Sequence, residues 1–239
     1  MMTREEFISY LKDEGIEVTD YQLEQFDIYF KMLVEWNEKM NLTAITDEEE
    51  VYEKHFYDSI TPLFFLDIEE GTSICDVGAG AGFPSLPMKI IRPDLKITIV
   101  DSLKKRITFL NELTANLKLD KITLVHDRAE TFGQHGQRHM FDIVTARAVA
   151  RLNVLLELCL PLVRTGGRLI VLKGQKAEEE LREAEFALEL LGGELSQVFS
   201  LSLPHENSER YIIEFDKKRK TPRDFPRKPG TPNKKPLVK

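Results

Sequence analysis

The chain has 239 residues, 42% of them apolar, enough to bury a core in one large domain or in one domain with an appendage. No apolar run is long enough to span a membrane, and the charged start Met1-Met2-Thr3-Arg4-Glu5-Glu6 precedes no apolar segment. These features argue against a membrane or secreted protein and for a cytoplasmic one. The net charge of −7 is unevenly spread: residues 217–239 hold ten Lys/Arg against one acid, a net of +9, and the remainder has 23 basic and 39 acidic residues. An acidic body with a basic tail suggests a polyanionic partner, although a merely solvated end has the same composition. The two cysteines, Cys75 and Cys159, stand in apolar surroundings and read as reduced core residues, with no disulfide or metal site expected.

In chain order, residues 3–60 read as helical, with Phe26, Tyr29, Phe30, Leu33, Asn37 and Met40 at helical spacing, mostly apolar. This predicts an N-terminal helical cap, assigned to residues 1–66. Asn41 to Ile45 end its long helix, and His55-Phe56-Tyr57-Asp58-Ser59 leads toward the first strand. Thr46 and Asp47 are expected as caps or turn residues, with lining of a ligand pocket as the alternative. From Ser73 strands and helices alternate. Strands are expected at 73–77, 96–100, 122–125, 140–146, 168–173, 194–200 and 210–215, and helices at 103–117, 152–163 and 176–190. The pattern predicts an α/β domain over 67–216, a seven-stranded and largely parallel sheet with helices on both faces. Past Asp216, Lys, Arg and Pro predict an extended, partly disordered tail over 217–239.

The most informative stretch is Ile74-Cys75-Asp76-Val77-Gly78-Ala79-Gly80-Ala81-Gly82-Phe83-Pro84. A short apolar strand enters a turn with glycine at alternate positions, and a helix starts near Pro84. Such a corner lets a nucleotide approach the main chain. A dinucleotide fingerprint requires G-x-G-x-x-G, and Phe83 occupies its third glycine position. The apolar-Asp-x-Gly-x-Gly-x-Gly pattern instead resembles the first motif of class I S-adenosylmethionine-dependent methyltransferases. Asp101 ends the second strand, where a carboxylate accepts bonds from ribose hydroxyls or caps the helix that follows. After the third strand, Ala129 and Glu130 are candidates to bracket an adenine, and Arg128 to meet a substrate phosphate or Asp142. His135 and His139 have metal-like spacing but no third ligand, and read as loop histidines.

The fourth strand ends in Arg147. No Asn/Asp-Pro-Pro-aromatic motif for adenine amino groups is present, and neither cysteine is placed to attack a pyrimidine. Guanine N7 carries an exposed lone pair and needs no deprotonation, so alignment by a cation such as Arg147 suffices. Lys173, at the end of the fifth strand, is either a second substrate-facing cation or half of a salt bridge.

Together the segments Asn41–Ile45, His55–Ser59, Asp76–Pro84, Asp101-Ser102, Arg128-Ala129-Glu130, Arg147-Ala148, Leu172-Lys173-Gly174 and Pro226–Pro232 resemble the 16S ribosomal RNA (guanine-N7) methyltransferases, also called glucose-inhibited division protein B. The resemblance implies a class I Rossmann-like fold and methyl transfer from S-adenosylmethionine to N7 of one guanine in the decoding region of 16S rRNA, on the small ribosomal subunit. It assigns cofactor contact to Gly78, Phe83, Ala129, Glu130 and Arg147; the residues themselves add Gly80 and Asp101. Arg147 is the catalytic candidate, Arg128 and Lys173 the substrate-binding ones, and the expected form is a monomer. The tail would hold RNA phosphates, so its deletion is expected to weaken RNA binding and spare cofactor affinity. Competing readings are a methyltransferase for another substrate, a non-catalytic ribosome-assembly module and, least favoured, a nicotinamide enzyme.

Overall fold

The computed structural model describes residues 1–239. Reciprocal capping boxes open the first two helices, α1 (Arg4–Asp13) and α2 (Asp20–Met40): Thr3 Oγ1 accepts from Glu6 N at 3.1 Å, and Thr19 Oγ1 from Gln22 N at 3.1 Å. In each, the third helical residue reaches back to the cap, so two otherwise unpaired N–H groups are satisfied. The helical run expected over 3–60 is broken twice, at Gly15 (φ +79°) and at Asn41 (φ +50°), both in the left-handed conformation that stops a helix. Asp47 caps α3 (Glu48–Val51), as its position suggested, accepting from Glu50 N at 3.1 Å. The chain then passes through a π-helical turn, Tyr52–Tyr57, into α4 (Asp58–Ile60) and α5 (Pro62–Phe65).

Alternation follows as expected: β1 (Ser73–Val77), α6 (Ser85–Ile91), β2 (Lys96–Asp101), α7 (Lys104–Asn116), β3 (Ile122–His126), α8 (Ala129–Phe132), β4 (Phe141–Arg147), α9 (Leu152–Cys159) and β5 (Val163–Lys173). After these come α10 (Ala177–Glu183), α11 (Glu185–Leu191), β6 (Gly193–Ser202), β7 (Glu209–Lys217) and α12 (Thr231–Lys234). The single helix expected over 176–190 is thus two, joined at Ala184. Seven strands form one sheet in the order β3-β2-β1-β4-β5-β7-β6. The first five are parallel; β7 runs antiparallel between β5 and β6. Strand order reverses between β1 and β4, so the crevice outside their carboxyl ends is the place where such a sheet binds ligands.

Both faces of the sheet are covered, and strand residues alternate between them. Ile74, Ile97, Ile99, Ile143 and Ile170 share one core with residues of α6 and α7 and with Phe26, Tyr29, Leu33 and Phe56 of the cap. Cys75, Val100, Val144, Val171 and Ile213 meet α9, α10 and α11. The two thiols are free and buried, and burial raises both well above the ordinary range, which suits inert core positions. Polar side chains pin the cap to α6, to the end of α7 and to the glycine turn. Gln22 Nε2 donates to Ile90 O at 2.9 Å, Gln25 Nε2 to Leu117 O at 2.7 Å, and Tyr29 Oη to Ala81 O at 2.6 Å.

Residues 217–239 depart from expectation: they are ordered along the body. Lys217 is buried and donates to Leu160 O and Val163 O, and Thr221 Oγ1 donates to Leu191 O at 2.7 Å. Arg227 grips Glu157 with Nη2 to Oε1 at 2.7 Å and Nε to Oε2 at 3.1 Å. Gly230 N donates to Glu130 Oε2 at 2.9 Å. Glu157 is 1% exposed and Glu130 6%, so part of the tail's basic character serves buried acids of the body. Deleting this segment would strip Glu157 of its cation and uncover apolar surface, so the effects expected of truncation are not confined to RNA. His139 is also absorbed by this packing: its Nε2 accepts from Thr221 N at 3.2 Å, and burial pushes its pKa down to about 4. No group of side chains able to hold a metal ion is present. No helix is long and apolar enough to cross a membrane.

Removing one partner of a buried ion pair leaves the other charge uncompensated. Arg227→Ala is therefore expected to lower stability by roughly 3 kcal/mol in urea unfolding, and Arg227→Ala/Glu157→Leu to regain most of that loss. A single variant as stable as the parent would show the strap to be loosely held.

Candidate active site at the carboxyl edge of the sheet

The crevice at the reversal point is floored by the turn from Gly78 to Phe83. A Cβ on Gly82, at φ +104°, would fall 2.5 Å from Tyr29 Oη and 2.6 Å from Leu86 Cδ1, so the cap and α6 pack directly on the backbone there. Gly80 has φ +59°, and a Cβ on it would meet nothing within 4 Å. Its open side leaves main chain accessible to a ligand, while its N–H donates to Asp101 Oδ2 at 3.1 Å.

Asp101 ties this floor to the next helix. It is 2% exposed, and Oδ1 accepts from Leu103 N at 2.9 Å, so the capping role and the crevice position coincide. Each carboxylate oxygen retains lone-pair capacity for a hydroxyl donor. Asp76, fully buried one strand away, accepts from Ser85 N at 3.0 Å through Oδ2, whereas Oδ1 has no partner. Burial pushes its pKa up to about 7, against the pull of the Ser85 donors and the Arg147 charge. An open backbone glycine, a strand-end carboxylate and an unpartnered buried acid oxygen are a donor and acceptor set that fits a nucleoside cofactor such as S-adenosylmethionine.

The turn after β3, expected to bracket an adenine, is less free than expected. Glu130 Oε2 accepts from Arg128 Nη2 at 3.2 Å as well as from Gly230 N. Its carboxylate is therefore committed to the tail, and what Ala129 and Glu130 offer the crevice is the opening backbone of α8. Arg128 is half exposed. It does not meet Asp142, which lies at the opposite, amino edge of the sheet and accepts from Ser73 N at 2.9 Å and Arg164 Nε at 2.8 Å.

Arg147 is the most constrained charge in the site. Nη1 donates to Asp58 Oδ2 at 3.0 Å and to Lys54 O at 3.1 Å, and Nη2 to His55 Nδ1 at 2.9 Å. The guanidinium carbon lies 5.0 Å from the centre of the Phe83 ring. Phe83 is sandwiched between His55, centroids 4.4 Å apart at 11°, and Tyr29, 5.5 Å apart at 6°. An arginine only donates, so His55 Nδ1 must accept, and the imidazole proton sits on Nε2, 2.8 Å from Thr43 Oγ1. Burial and the adjacent guanidinium lower the pKa of His55 to about 3, so it is a fixed neutral acceptor and does not titrate near neutrality. Burial raises the Asp58 carboxyl, with Arg147 and Arg210 pulling the other way. Three of the five guanidinium N–H groups are used, which leaves two for a ligand.

Beside Arg147 opens a cleft of about 430 Å³, bordered by Lys54, Asp58, Lys173, Glu206, Arg210 and Tyr211. Lys173 is the salt-bridged alternative: Nζ contacts Glu180 Oε1 at 3.1 Å and donates to Ala150 O, so it shapes the wall and is not a free cation. Sequence reasoning brought Arg147 and Lys173 together but missed Lys54, Glu206, Arg210 and Tyr211, and quoted Asp58 only within a motif. The antiparallel β7 carries its amino end to the edge where β4 and β5 end, pairing Tyr211 with Lys173. That reversal had no signal in local pattern.

A family model described as rRNA small subunit methyltransferase G (GidB) matches residues 22–210. A protein named ribosomal RNA small subunit methyltransferase G from Macrococcus caseolyticus is 60% identical over 238 residues, covering 100% of both chains. Its namesake from Staphylococcus haemolyticus is 60% identical over 95% of each chain, and that from Staphylococcus aureus 58% over 99% of each. Among solved structures, M. jannaschii TYW2 in complex with AdoMet superposes with TM-score 0.55 at 13% identity, over 73% of this chain and 79% of that one. A SAM-dependent methyltransferase from Aquifex aeolicus gives 0.53 at 17%, over 71% and 93%. At these identities the likeness to solved structures bears on the fold alone, a class I Rossmann-like methyltransferase.

The raised Asp76 carboxyl gives a signed pH effect. An unfolded aspartate ionises near ~4, and the folded one near about 7. The folded state therefore holds the proton longer, and this residue costs stability increasingly as pH rises through that window. Without cofactor, the stability of the parent relative to Asp76→Asn is expected to fall between those two pH values and then level off. A difference that is flat with pH, in parallel thermal melts of the two proteins, would contradict it.

Proposed function

Because the chain belongs to the rRNA small subunit methyltransferase G (GidB) family, we propose that it methylates N7 of one guanine in the decoding region of 16S rRNA, using S-adenosylmethionine. The observation that carries the reaction type is the clamp on Arg147. The site presents a fixed cation, and neither side chain that accepts from it is a free base: His55 is neutral and spent on Arg147, and Asp58 is paired. N7 of guanine bears a lone pair and asks for no deprotonation. Amino groups of adenine would.

When bound, the cofactor supplies an electrophilic methyl group. We assign Asp101 to its ribose, the Gly78 and Gly80 backbone to its methionine and ribose side, and the Ala129 and Glu130 backbone to its adenine. Phe83 sets the floor by its stack between His55 and Tyr29. The two unused N–H groups of Arg147 orient the guanine through O6, which leaves the N7 lone pair free. Asp58 lowers the local positive potential that the guanine meets as it becomes cationic. Alignment of this kind is worth up to ~7–11 kcal/mol in favourable cases. We assign Arg128, half exposed and paired with Glu130, to an RNA phosphate. We place the protein in the cytoplasm, acting as a monomer on the small ribosomal subunit.

Labelled S-adenosylmethionine and small subunits from cells lacking this protein test the reading. One stoichiometric N7-methylguanine in 16S rRNA, mapped by chemical cleavage at the modified base, is expected. Cofactor binding without rRNA labelling would leave the fold intact and refute the substrate.

A further inference from the structure

We propose that Glu206 reads the Watson–Crick edge of the target guanine in the cleft beside Arg147, an inference that rests on the methyl-transfer reading above. Glu206 lies in the turn between β6 and β7, and the turn is anchored to the same π-helical turn that clamps Arg147. Glu53, fully buried there, accepts from His205 N at 3.1 Å and from Glu206 N at 3.0 Å through one oxygen. The backbone is therefore held while the side chain projects along the cleft wall.

The carboxylate of Glu206 is the acid of this cleft that accepts no hydrogen bond, its contacts being two longer ion pairs. Asp58 is engaged by Arg147 at 3.0 Å and Arg210 at 3.4 Å, and Glu180, behind the wall, by Lys173 at 3.1 Å and Leu152 N at 2.8 Å. Around Glu206 the nearest cations are Arg210 Nη2 at 3.5 Å from Oε2 and Lys54 Nζ at 3.6 Å from Oε1. Its Oε2 is shut off from solvent and has no hydrogen-bond partner. Neither cation donates it a hydrogen bond, which leaves the other oxygen, Oε1, as an acceptor for a ligand.

Guanine offers adjacent donors, N1–H and the N2 amino group, that can both point at the two lone pairs of Oε1. Adenine places a lone pair at N1 and is repelled, and inosine lacks the amino group. With this edge held against Glu206, N7 lies on the other side of the base. As the N7–C bond forms and the S–C bond breaks, positive charge passes from sulfur to the purine. The guanine N1–H then becomes a stronger donor, so its bond to Glu206 tightens in the transition state and no proton need leave.

Small subunits reconstituted with guanine or with inosine at the target position separate the outcomes. The parent is expected to prefer guanine in kcat/KM by roughly 10- to 100-fold, the worth of a hydrogen bond to a charged group. Glu206→Gln is expected to level that preference while leaving the KM for S-adenosylmethionine unchanged. A variant that keeps the full preference would overturn the role of Glu206. So would a parent that accepts inosine as readily as guanine, a measurement that needs no substitution at all. Failure of the parent to methylate guanine would instead refute the methyl-transfer reading on which the inference stands.

Discussion

A buried arginine must be paired, because its guanidinium cannot shed its charge and desolvating it costs several kcal/mol. Arg147 is only 16% exposed at the end of β4, and its partners all come from the N-terminal cap: Asp58, His55 and the Lys54 carbonyl. This requirement explains features that otherwise seem unrelated. The π-helical turn brings His55 and Asp58 to one charge. Thr43 Oγ1 accepts the His55 Nε2 proton that the Arg147 contact dictates, and is itself set by Asn37 Oδ1, which accepts from Thr43 N at 2.8 Å. Phe83 completes the enclosure from the glycine turn, under the guanidinium and against His55. The cap is thus a wall of the site and not an appendage to it.

The C-terminal segment closes the opposite side by the same physics. Glu130 and Glu157 are buried acids on α8 and α9, and the tail answers them with the Gly230 amide and Arg227. Lys228, Lys234 and Lys235 remain exposed. One segment therefore both completes the fold and presents cations outward, which suits a polyanionic partner that approaches near the cofactor turn. Exposed cations and internal ones have the same composition, and only the positions of Glu130 and Glu157 tell them apart.

Much of this was legible in the chain. The glycine turn, the strand-end Asp101, the alternation that makes a parallel sheet and the inert cysteines each follow from local pattern, since each is a backbone or periodicity constraint. What was not legible depends on contacts between distant segments. The Pro- and Lys-rich composition of 217–239 reads as disorder because its acidic partners lie 70 and 100 residues earlier. Arg210, Tyr211 and Glu206 reach the cleft only because β7 inserts antiparallel next to β5. The π turn is equally silent in hydrophobic periodicity, although the His55–Ser59 motif that resembles the family marks its position.

The central claim is that the cap positions Arg147 for chemistry. Asp58→Asn keeps the shape and a hydrogen-bond acceptor while removing the counter-charge. Steady-state kinetics on small ribosomal subunits, with S-adenosylmethionine affinity measured by calorimetry on the same protein, test it most directly. The expected result is a fall in kcat of roughly 10-fold or more with cofactor affinity preserved, as for loss of one charge-assisted bond. An unchanged kcat in a folded variant would contradict the account.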